Sequence, residues 1–194
     1  MKRCVIRNHL SKAIPILGAI LALLMAACGG ASDPGYLTVA PASIGPSEAI
    51  PAPSGGEVLA ISGLIAAKNG GDTLNFDIPT LERLGLVEYS VHDPWLKETF
   101  TYTGVLMSDL LKYAGTFHTA QSVHMVALDD YQVDIPIAEI NKWPILLATR
   151  INGEYMGVDN YGPTRIIWPY GSHSIDQISH NNQWIWSLKS MVLR

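Results

Sequence analysis

Cysteine is nearly absent from this sequence, whose 194 residues include only Cys4 and Cys28. The region after residue 28 therefore has no disulfide, and no thiol there can act as a nucleophile or bind a soft metal. A phosphate-binding loop, a dinucleotide-binding glycine motif and a nucleophile elbow are also missing. The commonest sequence evidence for a nucleotide-dependent or hydrolytic enzyme is thus lacking.

Acidic residues are absent before Asp33, so the start of the chain is purely basic. Four basic residues precede the apolar run AIPILGAILALLMAA, which has about 15 residues where a membrane span needs roughly 20. The run ends in LMAAC, which resembles the lipobox of bacterial lipoproteins. Residues 1–27 are therefore predicted to be a lipoprotein signal peptide, and Cys28 to be the acylated first residue. A transmembrane anchor is the alternative.

Removal of the signal peptide would change the charge of the chain. It takes four of the 13 basic residues and none of the 17 acidic ones, which leaves a net charge of −8. A surface of that charge argues against nucleic acid as a partner. The predicted location is the periplasm, with the protein held by lipid to a membrane. Gly29 after the cysteine leaves the inner and the outer membrane both open.

The remaining chain divides into a tether and one domain. Residues 28–56 are rich in Gly, Pro, Ser and Ala and are predicted to form a flexible tether, and residues 57–194 form the domain. Many short strands with few helices and no regular βαβ order predict an α+β fold. Strands are predicted at 57–63, 73–77, 86–91, 99–104, 122–128, 131–135, 144–150, 154–158 and 184–194, and helices at 78–85, 106–115 and after Pro136.

Histidine offers no evidence of a metal site. The six histidines are spaced without a metal-binding pattern, and a structural zinc is improbable without cysteine. They lie at positions 9, 92, 118, 124, 173 and 180.

Polar and aromatic residues cluster instead at the ends of three predicted strands, in SVHDPW (90–95), LDDYQVDIP (128–136) and NYGPTRIIWPYG (160–171). Side chains at strand ends can line a shared cleft. The candidate binding residues are His92, Trp95, Asp130, Tyr131, Arg165 and Tyr170.

Each cluster also has an ordinary structural explanation. Trp95 could be a hydrophobic plug, the acidic pair before Tyr131 could be turn residues, and Arg165 could form a salt bridge with an internal aspartate. Together, however, the clusters suit a flat heteroaromatic ligand. An indole can stack on its ring, a carboxylate can accept from ring N–H groups, and a guanidinium can bind carbonyl or phosphate oxygens.

Four blocks resemble, in order and spacing, the oxidoreductase molybdopterin-binding domain, which has the sulfite oxidase-type fold. The resemblance extends over about residues 57–194, and WIWSLKSM is similar to the last strand of that domain. The blocks are FTYTGVLMSDLLKYAG, VALDDYQVDIPIAEI, PILLATRINGEYMG and YGPTRIIWPY.

The resemblance implies roles for individual residues. Arg165 would reach the pterin or its phosphate, and Tyr131 matches the tyrosine that catalytic members direct at the metal. VEYSVHDPW falls where catalytic members carry the cysteine that binds molybdenum, and no cysteine is present there. Because His92 or Asp93 would replace a thiolate poorly, molybdenum is not expected.

The sequence therefore resembles a stand-alone, cysteine-free group of this fold. Some members bind reduced pterins in the periplasm and regulate membrane-bound diguanylate cyclase/phosphodiesterase (GGDEF/EAL) enzymes of c-di-GMP signalling. The leading hypothesis is accordingly a non-catalytic, pterin-binding lipoprotein that acts as a sensor. The alternatives are a molybdenum oxidoreductase with ligands other than cysteine and a structural or interaction domain on a degenerate scaffold.

Overall fold

A computed structural model describes residues 35–45 and 48–194 of the chain. The predicted signal peptide, Cys28 and the first residues of the predicted tether lie outside the described residues. The strands are β1 (Leu37–Ala40), β2 (Leu59–Gly63), β3 (Leu74–Phe76), β4 (Leu86–His92), β5 (Thr99–Leu106), β6 (Ser122–Ala127), β7 (Gln132–Pro136), β8 (Leu146–Ile151), β9 (Glu154–Tyr155), β10 (Arg165–Ile167) and β11 (Leu188–Leu193). The helices are α1 (Ile78–Glu82), α2 (Met107–Tyr113), α3 (Ile137–Lys142) and α4 (Gln177–His180), with 3-10 turns at Val158–Asn160 and Asn181–Gln183.

The strands form one sheet of six and one of five. The first sheet has the order β1-β4-β5-β8-β10 with β9 paired to β8, and the second has the order β3-β2-β11-β6-β7. Every pairing is antiparallel except that of β11 with β2. The predicted α+β class with mixed sheets is confirmed. Among the described residues, no helix combines the length and the apolar character needed to cross a bilayer.

Burial follows the hydrophobic pattern of each strand. Along β6, buried and partly exposed residues alternate, with Val123, Met125 and Ala127 facing the core. By contrast, β8 lies between β5 and β10, and its residues Leu146 to Thr149 are all buried. The uninterrupted apolar run in β8 therefore indicates a central strand covered on both faces.

A hairpin joins β8 to β9, as the Asn-Gly pair predicts. Asn152 has a φ of 50° and Gly153 a φ of 86°, the left-handed conformations that a two-residue hairpin turn requires. The second strand is shorter than predicted, because the chain leaves the sheet after Tyr155 and enters the 3-10 turn at Val158–Asn160.

The folded domain begins earlier than the sequence predicts. β1, within the predicted tether, pairs with β4, and Ile44 and Ile50 are buried in the core. The carbonyl oxygen of Ile44 also accepts a hydrogen bond of 2.9 Å from the hydroxyl of Tyr113. The tether prediction is therefore wrong for this part of the chain. Two buried isoleucines and the pairing of β1 with β4 are enough to anchor this part of the chain.

Asp77 is a buried carboxylate that fastens one of these early segments to the start of α1. Its Oδ1 accepts from the backbone N–H of Thr80, and its Oδ2 accepts from the N–H groups of Ser54 and Gly55. Hydrogen bonds from Thr80, Gly55 and Ser54 hold the pKa of Asp77 well below its usual range, against the opposing effect of burial. Ionised Asp77 therefore stabilises the fold.

Replacing Asp77 by Asn is expected to lower the free energy of unfolding at pH 7 by about 1–3 kcal/mol, because the amide NH₂ would face the N–H groups of Ser54 and Gly55 in place of an acceptor. Because the folded-state pKa is depressed, the stabilisation is complete above the unfolded pKa of about 4 and is lost as the pH falls through the folded pKa. The difference between wild type and D77N should therefore shrink below pH 4 in denaturant titrations. The control is D72N, which breaks an exposed pair with Lys68 and should change stability by less than about 0.5 kcal/mol. A constant difference at all pH values would contradict this role for Asp77.

Candidate functional site

A cavity of about 300 Å³ opens where three turns of the chain approach one another. The first turn follows β4, the second joins β6 to β7, and the third precedes β11. The lining residues are Trp95, Ala127, Asp129, Tyr131, Asn181, Asn182, Trp184 and Trp186, and together they are called the aromatic pocket below.

Indole rings form the walls of the aromatic pocket. Trp95 is 50% exposed, and its ring meets Trp186 edge to face with centroids 6.3 Å apart. On its other side Trp186 packs against Tyr161, at 4.4 Å between centroids. Aromatic faces held in this way offer stacking surfaces to a flat ring, at little cost in side-chain entropy.

The turn between β6 and β7 places a carboxylate and a phenol at the pocket. Asp129 Oδ1 accepts from the backbone N–H of Tyr131 at 3.0 Å, which fixes the turn. The hydroxyl of Tyr131 donates to the carbonyl oxygen of Asn182 at 2.7 Å, so this turn is joined to the segment before β11. The pocket therefore has a polar edge beside its aromatic walls.

Asp130 does not belong to that edge, contrary to the prediction. It adopts the left-handed conformation with a φ of 65°, and its carboxylate pairs with Lys189 Nζ at 2.7 Å. The hydrogen bond from Lys189 lowers the pKa of Asp130. The left-handed residue turns the chain, so that the neighbouring Asp129 supplies the carboxylate of the aromatic pocket.

The predicted role of Arg165 also differs from what the structure shows. Its side chain is fully buried and forms an ion pair of 2.6 Å with Asp93, whose side chain is fully buried as well. Tyr102 completes the cluster, because its hydroxyl donates to Asp93 Oδ2 at 2.7 Å and accepts from Arg165 Nη1 at 3.1 Å. The prediction that Arg165 contacts the ligand or its phosphate is wrong, and the alternative of an internal salt bridge is the one observed.

This ion pair lies behind the aromatic pocket and supports both of its walls. Asp93 Oδ1 accepts from the backbone N–H groups of Trp95 and Leu96 at 2.8 and 2.9 Å, which fixes the first turn. The guanidinium carbon of Arg165 lies 4.9 Å from the ring centroid of Trp186. The ion pair thus contacts both tryptophans, because Asp93 binds the backbone of Trp95 and Arg165 packs against the ring of Trp186.

Two other predicted residues lie outside the lining. His92 is exposed at the end of β4 and does not line the aromatic pocket. Tyr170 is only 5% exposed and packs behind Trp184, with ring centroids 5.3 Å apart. Burial raises the pKa of Tyr170 to about 12, so its hydroxyl stays protonated at neutral pH. Tyr170 supports the pocket, and only Trp95 and Tyr131 of the six predicted residues line it.

Sequence reasoning missed the third turn, residues 181–187. The prediction extended the last strand back to residue 184, whereas β11 begins at Leu188. The signal that could have revealed the turn is NNQWIWS, which combines two asparagines with two tryptophans. Asn181 Oδ1, Gln183 Oε1 and Trp186 Nε1 are buried here without a hydrogen-bond partner. Such atoms destabilise a fold by about 1–3 kcal/mol each unless another group satisfies them.

Neither a thiolate nor a metal cluster is found in the part of the chain that the structure describes. Both cysteines fall outside that part, and no three of its His, Asp and Glu residues are grouped to hold a metal ion. The polar residues of the aromatic pocket are a carboxylate, a phenol and two amides. This donor set does not fit a thiolate-ligated molybdenum.

The two sheets define a sulfite oxidase-type molybdopterin-binding fold. The family model for the oxidoreductase molybdopterin binding domain matches residues 83–179, half of the chain, and the chain belongs to this family. The resemblance stated from the sequence blocks is confirmed.

Among solved structures, the sulfane dehydrogenase SoxCD from Paracoccus pantotrophus has a similar fold, with a TM-score of 0.52 and 17% sequence identity. The alignment covers 70% of this chain and 37% of the SoxCD chain, so this chain spans little more than a third of that protein's length. No curated protein matches the sequence.

Proposed function

We propose that this protein is a non-catalytic, pterin-binding protein that holds its ligand in the aromatic pocket. The observation that carries the proposal is the combination of Trp95 and Trp186 with Asp129 in one cavity of a molybdopterin-binding domain. Indole faces suit a fused bicyclic ring, and a carboxylate suits the adjacent N–H donors of an aminopyrimidine. The volume of about 300 Å³ accommodates a ligand of pterin size.

The absence of catalysis is proposed from the donor set. Family members that oxidise a substrate use molybdenum, and no described residue of this chain offers the metal a thiolate. The alternative, an oxidoreductase with other ligands, remains compatible with the family. A scaffold without any ligand is favoured less, because Asn181 and Trp186, which line the cavity, each have a buried polar atom without a hydrogen-bond partner.

A ligand and metal inventory tests the proposal directly. The full chain, expressed with its own export signal, would be purified gently and denatured, and the extract examined by fluorescence, mass spectrometry and elemental analysis. We expect a pterin and no molybdenum. Molybdenum near one atom per chain would overturn the non-catalytic proposal. An empty protein that also ignores added pterins would overturn pterin binding.

We further propose that the protein is a periplasmic lipoprotein that signals pterin binding to a membrane-bound diguanylate cyclase/phosphodiesterase. A lipid at Cys28 would confine the domain near such a receptor and raise its effective concentration there. The support is the lipobox-like sequence and the likeness to cysteine-free sensors of this fold, described above.

Replacing Cys28 by Ser is expected to release the protein from the membrane fraction, because the acylated thiol would be lost. Cell fractionation and the mass of the mature N-terminus measure the effect. C4S is the control, since Cys4 lies in the predicted signal peptide and should not affect anchoring. Full retention of C28S in the membrane would instead favour a transmembrane anchor.

A further inference from the structure

Among the described residues, no Lys, Arg or His lines the aromatic pocket. Two of the cations on elements around it are already paired with acids of the protein. Arg165 is buried against Asp93, and Lys189 pairs with Asp130 at 2.7 Å. The pocket therefore presents no guanidinium or ammonium group to a phosphate or carboxylate.

The single charged group in the lining is the carboxylate of Asp129. It accepts a hydrogen bond from the N–H of Tyr131, and no described Lys, Arg or His lies within ion-pair distance of it. No described cation therefore forms an ion pair with this carboxylate. Asp129 is exposed, so water screens its charge in part, but an anion placed in the same small cavity would still be repelled.

Resting on the pterin-binding function proposed above, we infer that the aromatic pocket selects pterins whose side chain carries no anionic group. The neutral aminopyrimidine edge supplies N–H donors to Asp129, and the tryptophans accept the ring. A substituent ending in phosphate or carboxylate lies at the far end of the ring, but it brings a second negative charge into the same cavity, and no described cation in the lining offsets it. The phosphate-bearing pterin of the molybdenum cofactor is therefore disfavoured by charge as well as by the missing thiolate.

Lys97 is the residue that challenges this inference most directly. It lies on the same turn as Trp95, is exposed, and has a φ of 62°. Both Lys97 and Asp129 are exposed, but only Asp129 lines the pocket. Lys97 is accordingly a suitable control position.

Two matched probes test the inference: 6-hydroxymethylpterin, which is neutral at pH 7, and pterin-6-carboxylate, which is anionic. Quenching of tryptophan fluorescence gives the dissociation constant of each for the full chain in detergent. We expect the neutral probe to bind about three- to tenfold more tightly, because an exposed carboxylate acts on the substituent across the ring, with a gap that narrows at high salt. D129N should reduce the ratio of the two constants several-fold, and K97Q should leave the ratio within about twofold.

The outcomes separate this inference from the function on which it rests. If both probes bind wild type equally well, charge selection is wrong while pterin binding stands. The same conclusion follows if K97Q changes the ratio more than D129N does. If neither probe binds, pterin binding itself fails and the inference falls with it. Because the measured quantity is a ratio of affinities, a general loss of folded protein cannot mimic the expected result.

Discussion

Replacing Trp95 by Ala is expected to weaken pterin binding by about 1–3 kcal/mol, which is roughly 5- to 150-fold in the dissociation constant. The reason is the loss of a half-exposed stacking face that a bound pterin would cover. The thermal midpoint should change little, because an exposed ring contributes little to the core. Fluorescence titration and thermal unfolding of the same samples measure both quantities.

A matched control for W95A is F117A. Phe117 is 46% exposed, close to the 50% of Trp95, and it lines a different cavity. Its removal should leave pterin affinity unchanged. If W95A binds pterin as tightly as wild type, Trp95 is a plug over the turn and not a part of the binding site.

Replacing Arg165 by Met is expected to have the largest effect on stability, a loss of about 3–5 kcal/mol. The substitution removes the partner of Asp93 and leaves a fully buried carboxylate with a neutral hydroxyl and two backbone N–H groups. Because Asp93 also fixes the turn of Trp95, the surviving folded protein should bind pterin more weakly. Denaturant unfolding and fluorescence titration report the two effects.

Two further variants separate the charge from the packing. In D93N/R165M both charges are absent, so we expect a large part of the stability lost in R165M to return. R150M breaks the comparable pair with Glu82, which is partly exposed, and should cost about 1 kcal/mol with no change in pterin affinity. If R165M and R150M prove equally mild, the buried ion pair does not have the structural role assigned to it.

The sequence predicted correctly those features of the fold and the site that depend on residues close together in the chain. The prediction of a hairpin at Asn152-Gly153 was correct because two adjacent residues determine the turn. Trp95 and Tyr131 were placed near a cleft because each lies just beyond a strand. The sequence favoured Asp130 over Asp129 as the carboxylate of the pocket, and this was wrong. Which of the two side chains faces the pocket depends on the left-handed backbone of Asp130, and the sequence Asp-Asp does not show which residue adopts it.

Contacts between residues far apart in the chain could not be predicted from local sequence patterns. Arg165 among apolar residues indicated a negative partner, but the sequence could not say whether that partner was a ligand or an acid. The partner is Asp93, 72 residues earlier in the chain. Asp93 follows β4 and Arg165 begins β10, and β5 and β8 separate these two strands in the sheet. Whether the two side chains meet therefore depends on the arrangement of the whole sheet.

The sequence by itself determined the α+β class, the family, the Asn-Gly hairpin and the lack of any thiol after residue 28. Those properties follow from residue type, periodicity and order along the chain. Only the tertiary structure decided that Arg165 is used internally and that no described cation forms an ion pair with Asp129. The tertiary structure also decided that residues 181–187 complete the pocket. Ion pairing and burial depend on distances across the fold, and such distances arise only when separate strands pack together.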